Sequence, residues 1–105
     1  PLEFDESAGI KVKIPEKKDD NAIYCIVLKN YRSIVRGMKT DDDIYIFENL
    51  PVHEKVKLIG LRKAGKEYFY SERDFKVKDT IIEMFELNPI IQRKLLEKMK
   101  ELDEF

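Results

Sequence analysis

The side chains able to do chemistry are few in this sequence and lie far apart. His53 is its only histidine and Cys25 its only cysteine. A zinc centre takes three or four nitrogen or sulfur ligands, which this pair cannot supply. His53 falls in what reads as a loop after Leu50-Pro51, with no second histidine or cysteine beside it, and reads as a loop residue. Cys25 lies in the run Ile23-Tyr24-Cys25-Ile26-Val27 and shares a strand face with Ile23 and Val27. It reads as strand filler rather than a nucleophile, and a lone cysteine excludes an internal disulfide. Asp41, Asp42 and Asp43 carry the carboxylates that hard cations favour, but three consecutive residues point in different directions and lack the spacing of a helix-loop-helix calcium loop. They read as a polar turn at a sheet end. No glycine-rich phosphate loop, Ser-x-x-Lys, Gly-x-Ser-x-Gly or His-Glu-x-x-His run occurs. The residue types therefore assign no catalytic, metal or cofactor site, and the chain reads as a non-enzyme that needs no cofactor.

The elements that would position these residues are mostly strands. From Asp41 to Leu61 the chain reads as an acidic turn, a strand, a Leu-Pro corner, a short polar loop and a second strand. Tyr45 and Phe47 share one face of the first strand, and Val56, Leu58 and Gly60 share one face of the second. Pro51 donates no backbone hydrogen bond and so ends the ladder. Extending this reading predicts seven short strands, at 10–14, 21–28, 33–38, 44–47, 55–61, 67–71 and 80–87. Ala64-Gly65 supplies a tight hairpin between the fifth and sixth. That spacing favours a seven-stranded antiparallel β-sandwich, with Tyr45, Phe47, Leu50, Val56 and Leu58 buried between its sheets.

One helix completes the pattern. Asn88-Pro89 offers an N-cap residue followed by proline at the first helical position, which predicts a helix over 89–102. Ile91, Leu95, Leu96, Met99 and Leu102 fall within one arc of that helix, opposite Arg93, Lys94, Glu97, Lys100 and Glu101. An isolated helix of this length is marginal in water, so the apolar arc needs a cover. These five residues are the candidate interaction surface. The short connection to the last strand favours docking on the chain's own sheets, with a neighbouring domain or a second copy as the other outcomes. The expected organisation is one domain, 1–105, with strands over 1–87 and the helical segment over 88–105.

Composition narrows the partners. The 105 residues are 43% apolar and 39% charged, with 20 basic against 21 acidic side chains and a net charge of −1. No overall field attracts nucleic acid or anionic lipid. Lys11, Lys13, Lys17 and Lys18 cluster locally, but Asp19 and Asp20 follow at once, as on a solvated edge. The longest uncharged apolar run, 22–28, is far below the roughly 20 residues that span a bilayer, so no direct membrane insertion is expected. The chain begins at Pro1 rather than Met and reads as an excised or processed piece.

Residues Thr40 to Leu61 carry a family resemblance. Thr40, Asp41, Tyr45, Phe47, Leu50 and Pro51, followed by Val56, Leu58 and Gly60, match the spacing of the repeated core of carboxypeptidase regulatory-like domains, the transthyretin-like sandwiches. Asp43 stands where that family usually places a turn glycine, and aspartate tolerates the left-handed backbone better than most residues. The glycine usual after Leu-Pro is replaced by Val52-His53-Glu54. One branch of the family hydrolyses a purine-degradation intermediate with several histidines and a Tyr-Arg-Gly-Ser tail; this chain has one histidine and ends Leu-Asp-Glu-Phe. Another branch forms a Lys-Asn isopeptide, for which Lys11 or Lys13 and Asn88 are a loose topological match without the assisting acid. The resemblance implies a non-catalytic accessory module, a spacer or protein-docking domain of a larger bacterial cell-envelope protein. Its partners would be other domains of the same polypeptide or another envelope protein, in the periplasm or at the surface. A second reading is a glycan- or peptide-binding module using Tyr31, Tyr68 and Tyr70, and a third is a small hydrolase.

Overall fold

Alternating apolar residues sort the chain into two sheets. The computed structural model describes residues 7–14, 22–40, 43–83 and 85–103. The strands are β1 (Ser7–Lys13), β2 (Ala22–Leu28), β3 (Ser33–Arg36), β4 (Met38–Lys39), β5 (Ile44–Pro51), β6 (Lys55–Ala64), β7 (Glu67–Lys76), β8 (Thr80–Ile82) and β9 (Asn88–Ile90), followed by helix α1 (Gln92–Asp103). One sheet has the order β4-β5-β1-β8 and the other β3-β2-β6-β7-β9. The inward residues of both sheets belong to a single core: Ile10, Val12, Tyr45, Phe47, Leu50 and Ile82 from the first, Tyr24, Ile26, Leu28, Val56 and Leu58 from the second. All five residues expected in the core at 45–58 are there, none more than 6% exposed. Burial and the neighbouring Tyr45 ring push the Tyr24 phenol up to about 12, so this core tyrosine stays neutral.

The mainly β architecture agrees with the sequence, but nine strands stand among the described residues where seven were expected. Two of the expected strands leave their sheet midway. The segment 33–38 breaks at Gly37 into β3, at the edge of the five-stranded sheet, and β4, at the edge of the four-stranded one. Gly37 makes the crossing by passing directly over the Phe47 ring, where an added Cβ would lie 2.7 Å from a ring carbon. The segment 80–87 likewise contributes only β8, after which Phe85 and Leu87 turn into the core and pack against Gly60. A Cβ on Gly60 would approach Leu87 to 2.5 Å and Tyr24 to 2.9 Å.

Three further differences have local causes. β8 runs parallel to β1, so the first sheet is mixed rather than wholly antiparallel. β5 continues past Phe47 to Pro51 through a bulge: Ala8 pairs with Leu50 while Ile10 pairs with Phe47, leaving one extra residue on β5. Asn49 takes the left-handed conformation there, with φ 59°, and the inserted residue reverses the inward parity so that Leu50 joins Tyr45 and Phe47 in the core. Asn88-Pro89 is not a helix start. It lies in β9, where Asn88 pairs with Tyr70 and Pro89 with Phe69. Proline biases the preceding residue toward extended backbone and is tolerated on an edge strand, so the dipeptide suits this position equally well. The helix begins after it, at Gln92.

Candidate functional site

The helix lies on the outer face of the five-stranded sheet. Strand register places Cys25, Ile59 and Glu72 in one row across β2, β6 and β7, and Val27, Lys57 and Asp74 in the next. Val27, Ile59, Tyr70 and Leu95 form a second small apolar cluster, with Cys25, Leu61, Tyr68, Ile90, Met99 and Leu102 packed around it. Leu95, Met99 and Leu102 recur at helical spacing on the side of α1 that meets the sheet. The five candidate surface residues therefore divide. Leu95 is buried at 6% exposure and Met99 and Leu102 are half-buried, whereas Leu96 is 61% exposed and Ile91 60%. Ile91 precedes the first helical residue and so leaves the arc, and Leu96 sits about 100° around the helix from Leu95.

An ionic clamp ties helix to sheet beside this cluster. Glu72 accepts hydrogen bonds of 2.8 Å from both Lys57 on β6 and Lys98 on α1. Burial opposes ionisation of Glu72, but the two lysines outweigh it and hold its carboxyl below the ordinary 4.5. The bond to Glu72 also raises the Lys98 ammonium. Under the helix, burial first and the Glu72 carboxylate second push the Tyr70 phenol up, and its buried oxygen makes no hydrogen bond of good geometry. Burial likewise pushes the Cys25 thiol up, away from the thiolate a nucleophile requires.

The other residues singled out by type do not converge. His53 is exposed in the turn after β5 with φ 71°, and its backbone N–H donates to the Val77 carbonyl. Asp41 and Asp42 lie outside the described residues. Asp43 has φ 56°, the left-handed backbone expected where a turn glycine would stand, and its carbonyl accepts from Ile14 N–H. Among the described residues no group of three His, Cys, Asp or Glu side chains is placed to hold a metal. Lys13 pairs with Glu83 at 3.3 Å in the first sheet, while the Asn88 amide donates to Ser71 Oγ in the second, so the loose isopeptide match is not brought together. Tyr31, Tyr68 and Tyr70 do not form an exposed row: Tyr70 is buried under α1, and Tyr31 and Tyr68 stand at opposite ends of the sheet.

Sequence reasoning missed a notch at one end of the same outer face. The β2–β6 pairing ends at Val27 and Lys57, but β6 and β7 run on to Lys55 opposite Lys76. β2 instead enters a 3-10 turn, Lys29–Tyr31, fastened to the residue before β6 by a 2.8 Å hydrogen bond that the Asn30 side-chain amide donates to the Glu54 carboxylate. The resulting cleft of about 460 Å³ is lined by Val27, Lys29, Lys55, Val56, Lys57, Asp74, Phe75 and Lys76. The signal was present as alternating lysines at 55, 57 and 76, but only the strand register assembles them. Among the described residues no helix is long and apolar enough to cross a membrane. Comparison with protein-family models, curated proteins and solved structures finds no match to this chain.

Proposed function

We propose that this chain is a non-catalytic β-sandwich module, a spacer or protein-docking domain of the carboxypeptidase regulatory-like type within a larger bacterial cell-envelope protein. The sandwich reading is supported by the single core that inward residues of both sheets share. The family reading rests on the Thr40 to Pro51 spacing, and the left-handed Asp43 at its turn is compatible with it. Envelope placement follows from that resemblance alone. The non-catalytic reading is supported by the dispersal of the reactive side chains: His53 in an exposed turn, Cys25 beneath the helix, and Glu72 committed to two lysines.

The observation that carries the docking role is the exposure of Leu96 and Ile91 next to a helix whose opposite stripe is already satisfied. Two large apolar side chains held at 60% exposure or more, one on a docked helix and one just before it, offer contact area without further ordering. A photo-crosslinking amino acid at position 96 within the parent protein tests this, with position 11 on the other sheet as control. A discrete adduct at 96 absent at 11 is expected. Matching patterns at the two positions would overturn the docking role.

A further inference from the structure

We propose that the notch between β2 and the β6–β7 overhang is a binding site for a small organic anion, a carboxylate or phosphate carried on an apolar body. This site is independent of whether the module docks through Ile91 and Leu96.

The strand register supplies the first argument. Lys55 and Lys76 are direct cross-strand partners, and neither side chain makes an ion pair or hydrogen bond among the described residues. Like charges directly opposite on adjacent strands destabilise a sheet. A fold under no demand for this pair gains by changing either residue, whereas an anion seated between the ammonium groups turns the repulsion into attraction. Lys57, which also lines the cleft, is already neutralised by Glu72 at 2.8 Å and Asp74 at 3.9 Å, so the excess positive charge lies at the mouth, toward Lys55 and Lys76.

Shape supplies the second. The cleft exists because β2 stops pairing where β6 and β7 continue, and its walls are fastened. The Asn30–Glu54 bond holds the 3-10 turn, and reciprocal backbone bonds, His53 N–H to Val77 O and Val77 N–H to Glu54 O, hold the end of β7. Val27 presents apolar surface on the lysines' face, and Val56 and Phe75 line the cleft from the core side, where β2 no longer pairs with β6. A volume of about 460 Å³ suits a ligand of roughly drug size, and an apolar floor with few polar groups at the rim is the usual composition of such sites. Lysine acts as a point charge without a fixed fork, which favours anions as a class over one planar group.

Titration with phenyl phosphate, inorganic phosphate and phenol, followed through backbone amide NMR shifts, tests the site. Phenyl phosphate is expected to bind saturably, with shifts centred on residues 27–29, 55–57 and 74–76. Inorganic phosphate should bind the same residues more weakly, and phenol should bind least. Lys55→Glu and Lys76→Glu should each weaken phenyl phosphate on the order of tenfold, while Lys11→Glu, on the outer face of the other sheet, should change it less than about twofold. Without ligand, Lys76→Glu should raise the thermal midpoint, because a like pair becomes an opposite one; this also guards against a variant that merely misfolds. Linear, unsaturable shifts at lysines throughout the chain, equal weakening by Lys11→Glu, or a midpoint lowered by Lys76→Glu would each overturn the proposal.

Discussion

Leu95 and Leu96 are neighbours of one residue type on one helix, and they should respond oppositely to the same substitution. Leu95 is 6% exposed against Val27, Ile59 and Tyr70, whereas Leu96 is 61% exposed. Truncation to alanine removes the same atoms at both sites, and alanine is at least as good a helix former as leucine, so intrinsic propensity cannot account for a difference. A buried leucine truncated to alanine costs about 2–5 kcal/mol. The lower part of that range applies here, because the cluster lies on an outer face where the helix can settle, giving about 2–3 kcal/mol for Leu95→Ala. For a domain of this size that corresponds to a fall of about 10–20 °C in thermal midpoint. Leu96→Ala should stay within about 0.5 kcal/mol of the parent. Denaturant melts measure both, and native-state hydrogen exchange locates the loss: amides of α1 should exchange faster in Leu95→Ala while those of β1 and β5 keep their protection. Equal melts for the two variants, or a Leu95→Ala loss under about 1 kcal/mol, would refute the docking geometry.

Phe47→Ala should cost about 3–5 kcal/mol in a denaturant melt, since a side chain with no exposed surface leaves its cavity between Gly37 and the facing sheet; a loss under about 1 kcal/mol would contradict the β5 register. Gly60→Ala should cost about 1–3 kcal/mol, because its Cβ would have to displace Leu87 and the Tyr24 ring, and an unchanged melt would show that the Leu87 segment packs elsewhere. Because the Glu72 carboxyl is held below its ordinary 4.5, the stability it confers is complete above that pH and is lost as pH falls through the lower folded-state value. Thermal midpoints of the parent should therefore fall more steeply than those of Glu72→Gln on acidification from about pH 5, and parallel curves would discard the clamp. Lys57 lines the notch but is held by Glu72, so phenyl phosphate seated on Lys55 and Lys76 should leave exchange of the helix amides unchanged, and faster exchange would show that the anion draws Lys57 away from Glu72 instead.

How much of this was legible in the sequence depends on whether a residue's demand is local. The inward alternation at Val56, Leu58 and Gly60 and the Gly65 hairpin were readable, because each is set by neighbours in the chain, and the left-handed Asp43 followed from the resemblance of its turn. The amphipathic stripe of α1 was readable too, but which of its members meet the sheet was not. Ile91 falls outside because the helix starts later than Asn88-Pro89 suggested, and that pair is extended because the exposed edge of β7 accepts a short strand. Burial of Leu50 was read correctly without its cause: strict alternation from Tyr45 and Phe47 would turn Leu50 outward, and only the extra residue at the Asn49 bulge brings it back. The same limit governs Gly37 and the segment after Ile82, where one apolar run serves two sheets and nothing within the run marks the crossing. The notch is the furthest case. Lys29, Lys55 and Lys76 each read alone as a solvated charge, and their meeting is a consequence of where β2 stops relative to β6 and β7. A functional site defined by the unequal lengths of paired strands leaves no local motif, so its residues are found through register or not at all.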